Sequence, residues 1–180
     1  TVLHQLQPNN RNAQTLLFKP KESYRTKGRG GKSSLTAGTN LPNGVIVHYF
    51  LKNYDTEKDT VELQFQSNDG AVIKTYSTKD KKNKLEVNAG GNEFVWDTRY
   101  DGAEKLDGMI FWSASFSGAK AVPGPYKVRL VVNGKEQIQD FTILPDPRSE
   151  SSVADMQKQF DFVNDVNQTV DKAHKAIKNI

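Results

Sequence analysis

Between residues 93 and 132 the chain runs Glu-Phe-Val-Trp-Asp-Thr-Arg-Tyr-Asp-Gly and, after a loop, Pro-Gly-Pro-Tyr-Lys-Val-Arg-Leu-Val-Val. In the second stretch Tyr126, Val128, Leu130 and Val132 alternate with Lys127 and Arg129. A period of two puts the apolar side chains on one face and the cations on the other, which a strand satisfies and a helix does not. Asn133-Gly134 follows at once. Both residues tolerate the positive φ of a type I′ turn, so Glu136–Leu144 is expected to return as a hairpin. In the first stretch, Trp96 is large enough to fill the space between two sheets. Asp97 directly after it is expected to accept backbone hydrogen bonds from the next turn.

The rest of the chain has the same texture up to residue 147. Leu16-Leu17-Phe18, ended by Pro20, reads as a short edge strand. Val45–Leu51 is apolar on both faces, as in a central strand. Val61, Leu63 and Phe65 alternate with Glu62, Gln64 and Gln66; Asn68-Asp69-Gly70 is a turn, and 71–77 is its hairpin partner. Asp80–Lys84 is a charged loop, Phe94–Thr98 a strand, and Met109–Ser115 a further strand carrying Phe111 and Trp112 on opposite faces. Pro145-Asp146-Pro147 stops the series. About seven strands with turns at this spacing predict a mainly β chain with an immunoglobulin-like β-sandwich at 45–147. Residues 1–44 read as an extended arm and a flexible Gly-rich loop, and 148–180 as one long amphipathic helix.

That helix is the second strong pattern. Ser152 is a good N-cap, with Asp155 three residues on as in a capping box. Val153, Phe160, Asn167 and His174 fall seven apart, and Met156, Val163, Val170 and Ile177 fall seven apart on the adjacent row. These are the a and d positions of a heptad seam. Buried apolar side chains at roughly 1.5–3 kcal/mol each make such a stripe costly to leave in water. The expectation is a projecting helix that self-associates or pairs with another helix; the alternative is that it lies on its own sandwich.

Composition excludes more than it assigns. The chain has 180 residues, enough for one domain and an appendage, and no cysteine, which removes disulfides and thiol chemistry. No apolar run reaches the length of a membrane span, so no membrane insertion is expected. The opening Thr1-Val2-Leu3, without an initiator Met, reads as a piece of a longer protein. Lys19, Lys21, Arg25, Lys27, Arg29 and Lys32 cluster, but only Tyr24 interleaves them, so they read as a solvated segment and no nucleic-acid partner is expected.

Candidate chemistry is thin. Gly30-Gly31-Lys32-Ser33 has Thr26 where a phosphate loop has its first Gly, no buried strand before it and a poor helix after. His4, His48 and His174 lack ligand spacing. Asp97, Asp101, Glu104 and Asp107 could in principle supply a hydrolytic pair, yet Asp97 fits a turn better. Asp55, Glu57 and Asp59 lack the Gly and the terminal Glu of a calcium loop. Trp96, Tyr100, Phe111, Trp112 and Phe116 could build a sugar platform; two coplanar exposed aromatics near the corner would favour sugar binding, while a buried Trp96 and no cleft would favour a scaffold. No catalytic residue, metal ligand or cofactor is expected. The interaction candidates are Trp112, Tyr100, Phe116 and the seam residues Phe160, Val163, Val170 and Ile177.

Taken together, Tyr49-Phe-Leu, the pair Val61-Glu-Leu-Gln-Phe and Asn68-Asp-Gly-Ala-Val-Ile-Lys-Thr-Tyr, Phe94-Val-Trp-Asp-Thr-Arg-Tyr, Gly108-Met-Ile and Pro123-Gly-Pro-Tyr-Lys-Val-Arg-Leu resemble one domain. It is the C-terminal domain of bacterial BNR-repeat, sortilin-like β-propeller proteins, commonly labelled glycosyl hydrolases. Pro20-Lys-Glu-Ser-Tyr-Arg, Asn43-Gly and the tail from Asp146 to Phe162 fit the same family. The resemblance covers about residues 14–178; the pattern is also similar to the Ig-like domain of the flagellar hook-capping protein. The resemblance implies a non-enzymatic accessory domain of a larger exported protein, periplasmic or extracellular. Its partner would be the protein's own β-propeller, absent from this chain, or an envelope component. The alternative is a carbohydrate-binding module attached to a glycoside hydrolase.

Overall fold

The computed structural model describes residues 2–8, 10, 12–26, 36, 41–106, 108–109 and 115–179. Among the described residues a 3-10 turn (Val2–Gln5) is followed by eight strands in two sheets and then by one α-helix. The strands are β1 (Thr15–Leu17), β2 (Ser23–Arg25), β3 (Val45–Leu51), β4 (Val61–Ser67), β5 (Val72–Ser77), β6 (Gly90–Trp96), β7 (Gly124–Val132) and β8 (Lys135–Pro145); the helix is α1 (Val153–Lys178). One sheet has the order β1-β3-β6 and the other β2-β8-β7-β4-β5.

The alternation read from the sequence is the alternation of burial. In β3, Val45, Val47, Tyr49 and Leu51 are buried while Ile46, His48 and Phe50 are half-buried on the outer face. Val61, Leu63 and Phe65 of β4, Tyr126, Val128 and Leu130 of β7, and Phe141 and Ile143 of β8 meet them from the other sheet in one core. Trp96 lies at its centre, wholly buried. Its ring stacks on Phe65 at 4.5 Å and meets Tyr126 and Phe141 edge-on at 6.3 Å each. Its indole N–H donates to the Arg99 carbonyl at 3.2 Å. The Asn133-Gly134 turn has φ 50° and 79°, as the type I′ expectation requires.

Some boundaries differ from the sequence reading. The strand expected at Phe94–Thr98 is Gly90–Trp96. It stops early because Asp97 turns the chain, accepting the Arg99 N–H at 3.0 Å, and Thr98 sits at φ 61°. Ser23–Arg25, which has no apolar alternation, pairs in parallel with Ile143–Pro145 of β8. The stretch set apart as an arm thus supplies an edge strand to each sheet. The Gln137 amide accepts from Leu17 N–H and donates to the Thr15 carbonyl, so a β8 side chain caps the open edge of β1. Most of the Gly-rich loop and most of the strand expected at Met109–Ser115, Trp112 included, lie outside the described residues. Among the described residues no helix is long and apolar enough to cross a membrane.

Candidate functional site

The Trp96-Asp97 corner opens the segment that meets α1. After it, residues 98–103 and 116–121 run side by side. The Tyr100 N–H donates to Ala119 O at 3.0 Å, Ala121 N–H to Thr98 O at 2.7 Å, and Arg99 Nη1 to Gly118 O at 2.8 Å. Two glycines permit this approach. A Cβ on Gly102 would lie 1.6 Å from Phe116 O, and one on Gly118 would lie 2.0 Å from Tyr100 O. No side chain fits at such distances, so the pairing of these backbones depends on glycine at both positions.

The paired segments present Tyr100 and Phe116 to the helix. The Tyr100 ring meets Phe160 edge-on at 4.7 Å. The Phe116 ring lies 6.1 Å from His174 and 5.6 Å from the Lys105 ammonium. Glu104 holds the C-terminal half of α1 three ways. Its N–H donates to Asp171 Oδ1 at 2.7 Å, its carbonyl accepts from His174 Nδ1, and its carboxylate pairs with Lys178 Nζ at 2.7 Å. The Lys178 hydrogen bond and charge hold the Glu104 carboxyl below its ordinary pKa. Towards the N-terminal half, Arg25 Nη2 donates to Gln159 Oε1 at 3.0 Å. The helix starts where the sequence places it, with Ser152 accepting from Asp155 N–H and Asp155 accepting in return.

The seam therefore docks on its own chain, which corrects the expectation of a projecting helix. Met156 and His174 are buried, and Phe160, Val163, Asn167 and Val170 are half-buried along the same stripe. Ile177, a seam residue and interaction candidate, stays half-exposed, as does Val153. Phe162 and Val166 lie on the outer side, exposed. Heptad spacing states that a stripe must be covered, and it is silent on what covers it. Of the seven interaction candidates, Tyr100 and Phe160 are in direct contact, Phe116 packs beside His174, Val163 and Val170 line the stripe, Ile177 is half-exposed, and Trp112 lies outside the described residues.

Three of the four carboxylates considered for hydrolysis have structural partners, and the fourth, Asp107, lies outside the described residues. Asp97 caps its turn, Asp101 pairs with Lys74 at 3.3 Å, and Glu104 clamps α1. Asp55 and Asp59 close their own loop, Asp55 N–H donating to Asp59 Oδ2 at 2.8 Å and Asn133 Nδ2 donating to Asp59 Oδ1 at 2.8 Å. The sequence reading did not single out Gly102, Gly118 or the Arg25–Gln159 contact. Two isolated glycines flanking a pair of aromatics were the only signal available. No family model matches the chain, and a search of curated proteins finds no match.

Proposed function

We propose that the chain is a non-catalytic accessory domain of a larger exported β-propeller protein, an immunoglobulin-like sandwich that packs against its own propeller. The observation that carries this reading is the use of Asp97, Asp101, Glu104, Tyr100 and Phe116, the residues best suited to chemistry or sugar stacking, in contacts that fasten the segment and α1 to the body. The strand arrangement supports the immunoglobulin-like part: β3 and β4 lie in different sheets, as do β5 and β6, and β6 and β7. Such crossings between two layers are what a two-sheet sandwich requires. The Tyr126 hydroxyl donates to Val122 O at 2.7 Å, a bond of the tyrosine-corner type at the start of β7. The exported setting and the propeller partner rest on the resemblance of the sequence.

The test combines activity and association. The purified chain should turn over no member of a chromogenic glycoside panel. It should co-elute in gel filtration with the propeller expressed from the adjoining gene segment. Turnover that disappears in Asp97→Asn or Asp101→Asn overturns the reading, as does the absence of BNR repeats upstream of Thr1 in the gene.

A further inference from the structure

Three cations converge beside the Trp-Asp corner, and among the described residues no carboxylate forms an ion pair with them. Arg99 and Lys120 are directly opposed in an isolated antiparallel bridge. Like charges facing each other across strands are destabilising. Arg25, the last residue of β2, reaches into the same place: its Nε donates to Ala121 O at 3.0 Å, while Lys120 Nζ donates back to Thr26 O at 2.7 Å. Arg99 is anchored on Gly118 O. All three side chains are half-buried, and every acceptor they use (Gly118 O, Ala121 O, Thr26 O and Gln159 Oε1) is neutral. Among the described residues no ion pair includes any of the three. Asp97 is the near acid, but it is exposed and its carboxylate accepts the Arg99 backbone N–H.

The geometry points to an oxyanion site: Arg25, Arg99 and Lys120 together bind a divalent tetrahedral oxyanion, of the class of inorganic phosphate or a phosphomonoester. Carbonyl anchors fix each cation through one or two donors and leave most of the N–H groups of two guanidinium forks and one ammonium without an acceptor among the described residues. Guanidinium forks match the spacing of phosphate oxygens, and an ammonium adds a point charge. Two negative charges against three positive ones would relieve a repulsion that the fold offsets only in part, through the charge of Asp97 near Lys120. The acidities agree with crowding: burial first, and then the charge of Arg99, hold both Arg25 and Lys120 below their ordinary pKa values. The arrangement sits where β2, the glycine-paired segments and α1 meet, so the anion would tie together the same three elements that Arg25 already links.

Thermal unfolding of the intact chain tests this. Phosphate and sulfate are titrated against sodium chloride at matched ionic strength. At about ten times its Kd, phosphate should raise Tm by roughly 3–6 °C above the chloride control, and the rise should saturate. Lys120→Gln and Arg99→Gln should each weaken binding at least tenfold. Arg99→Lys, which keeps the charge and loses the fork, should fall between. Equal Tm in phosphate and chloride overturns the proposal without any variant, and so covers the case in which a variant fails to fold. Saturation by acetate at the same concentration as phosphate also overturns it, because a carboxylate site needs no divalent anion. Phenyl phosphate should compete with inorganic phosphate. A single-stranded oligonucleotide, whose diesters are monovalent, should not bind more tightly than either; if it does, the cations belong to a nucleic-acid surface and the proposal fails. None of these outcomes depends on whether the parent protein carries a propeller.

Discussion

Replacing Trp96 by alanine removes the ring on which both sheets meet. The side chain is wholly buried, stacked on Phe65 at 4.5 Å and in edge contact with Tyr126 and Phe141. Large-to-alanine truncations of this kind cost about 3–5 kcal/mol through lost transfer energy and an unfilled cavity. Two further losses sit within or just above that range: aromatic pairing, at about 0.5–1.5 kcal/mol, and the indole hydrogen bond to Arg99 O, at about 1 kcal/mol. The total is a large share of the roughly 5–15 kcal/mol that holds a domain together. Each kcal/mol moves Tm by about 2–4 °C at this chain length, so a fall of roughly 10–15 °C is expected. Urea unfolding followed by far-ultraviolet circular dichroism measures the loss directly. Trp96→Phe is the informative comparison, since it keeps a ring against Phe65 and gives up the hydrogen bond and part of the volume. It should cost about half as much or less. A loss below about 1 kcal/mol for Trp96→Ala would refute the reasoning, because no buried residue of this size is removed so cheaply unless the two sheets close over the gap.

Further outcomes follow from the helix, the glycines and the core tyrosines. The intact chain and a version ending at Pro147 should both sediment as monomers at high micromolar concentration, with α1 amides protected from exchange in the former; a dimer lost on truncation would restore the seam to an intermolecular role. Gly118→Ala should cost about 2 kcal/mol or more in urea unfolding, because its Cβ would lie 2.0 Å from Tyr100 O. Gly91→Ala, with nothing within 4 Å of the added carbon, should change stability by less than about 1 kcal/mol; equal costs would contradict the close approach. Burial pushes the phenols of Tyr49, Tyr76 and Tyr126 up to about 12 from 10.0. A raised folded-state pKa means a contribution complete below pH 10.0 and lost as pH rises through about 12. Absorbance at the phenolate band should therefore rise for these tyrosines together with unfolding, and independent ionisation near pH 10.0 would exclude their burial.

Local physics was enough to read most of the elements. Strand alternation, the positive φ demanded at Asn133-Gly134, the capping box of Ser152 and Asp155, and the size of Trp96 each depend on a residue and its near neighbours, and each appears where the sequence puts it. Asp97 as a turn acceptor is of the same kind. Ser23–Arg25 escaped because three residues without apolar alternation carry too little period to see; it forms only because β8 offers it a parallel edge. The site is legible in part for the same reason. Heptad spacing required that Met156, Phe160, Val163 and Val170 be covered together, and they are. That the stripe meets Tyr100 and its neighbouring loop within this chain was decided by Gly102 and Gly118 letting two backbones touch and by Glu104 reaching Asp171, His174 and Lys178. The meeting of Arg25, Arg99 and Lys120 was likewise a tertiary outcome. Residues so far apart in the chain carry no joint pattern, and only the packing of β2 beside the corner brings their charges to one place.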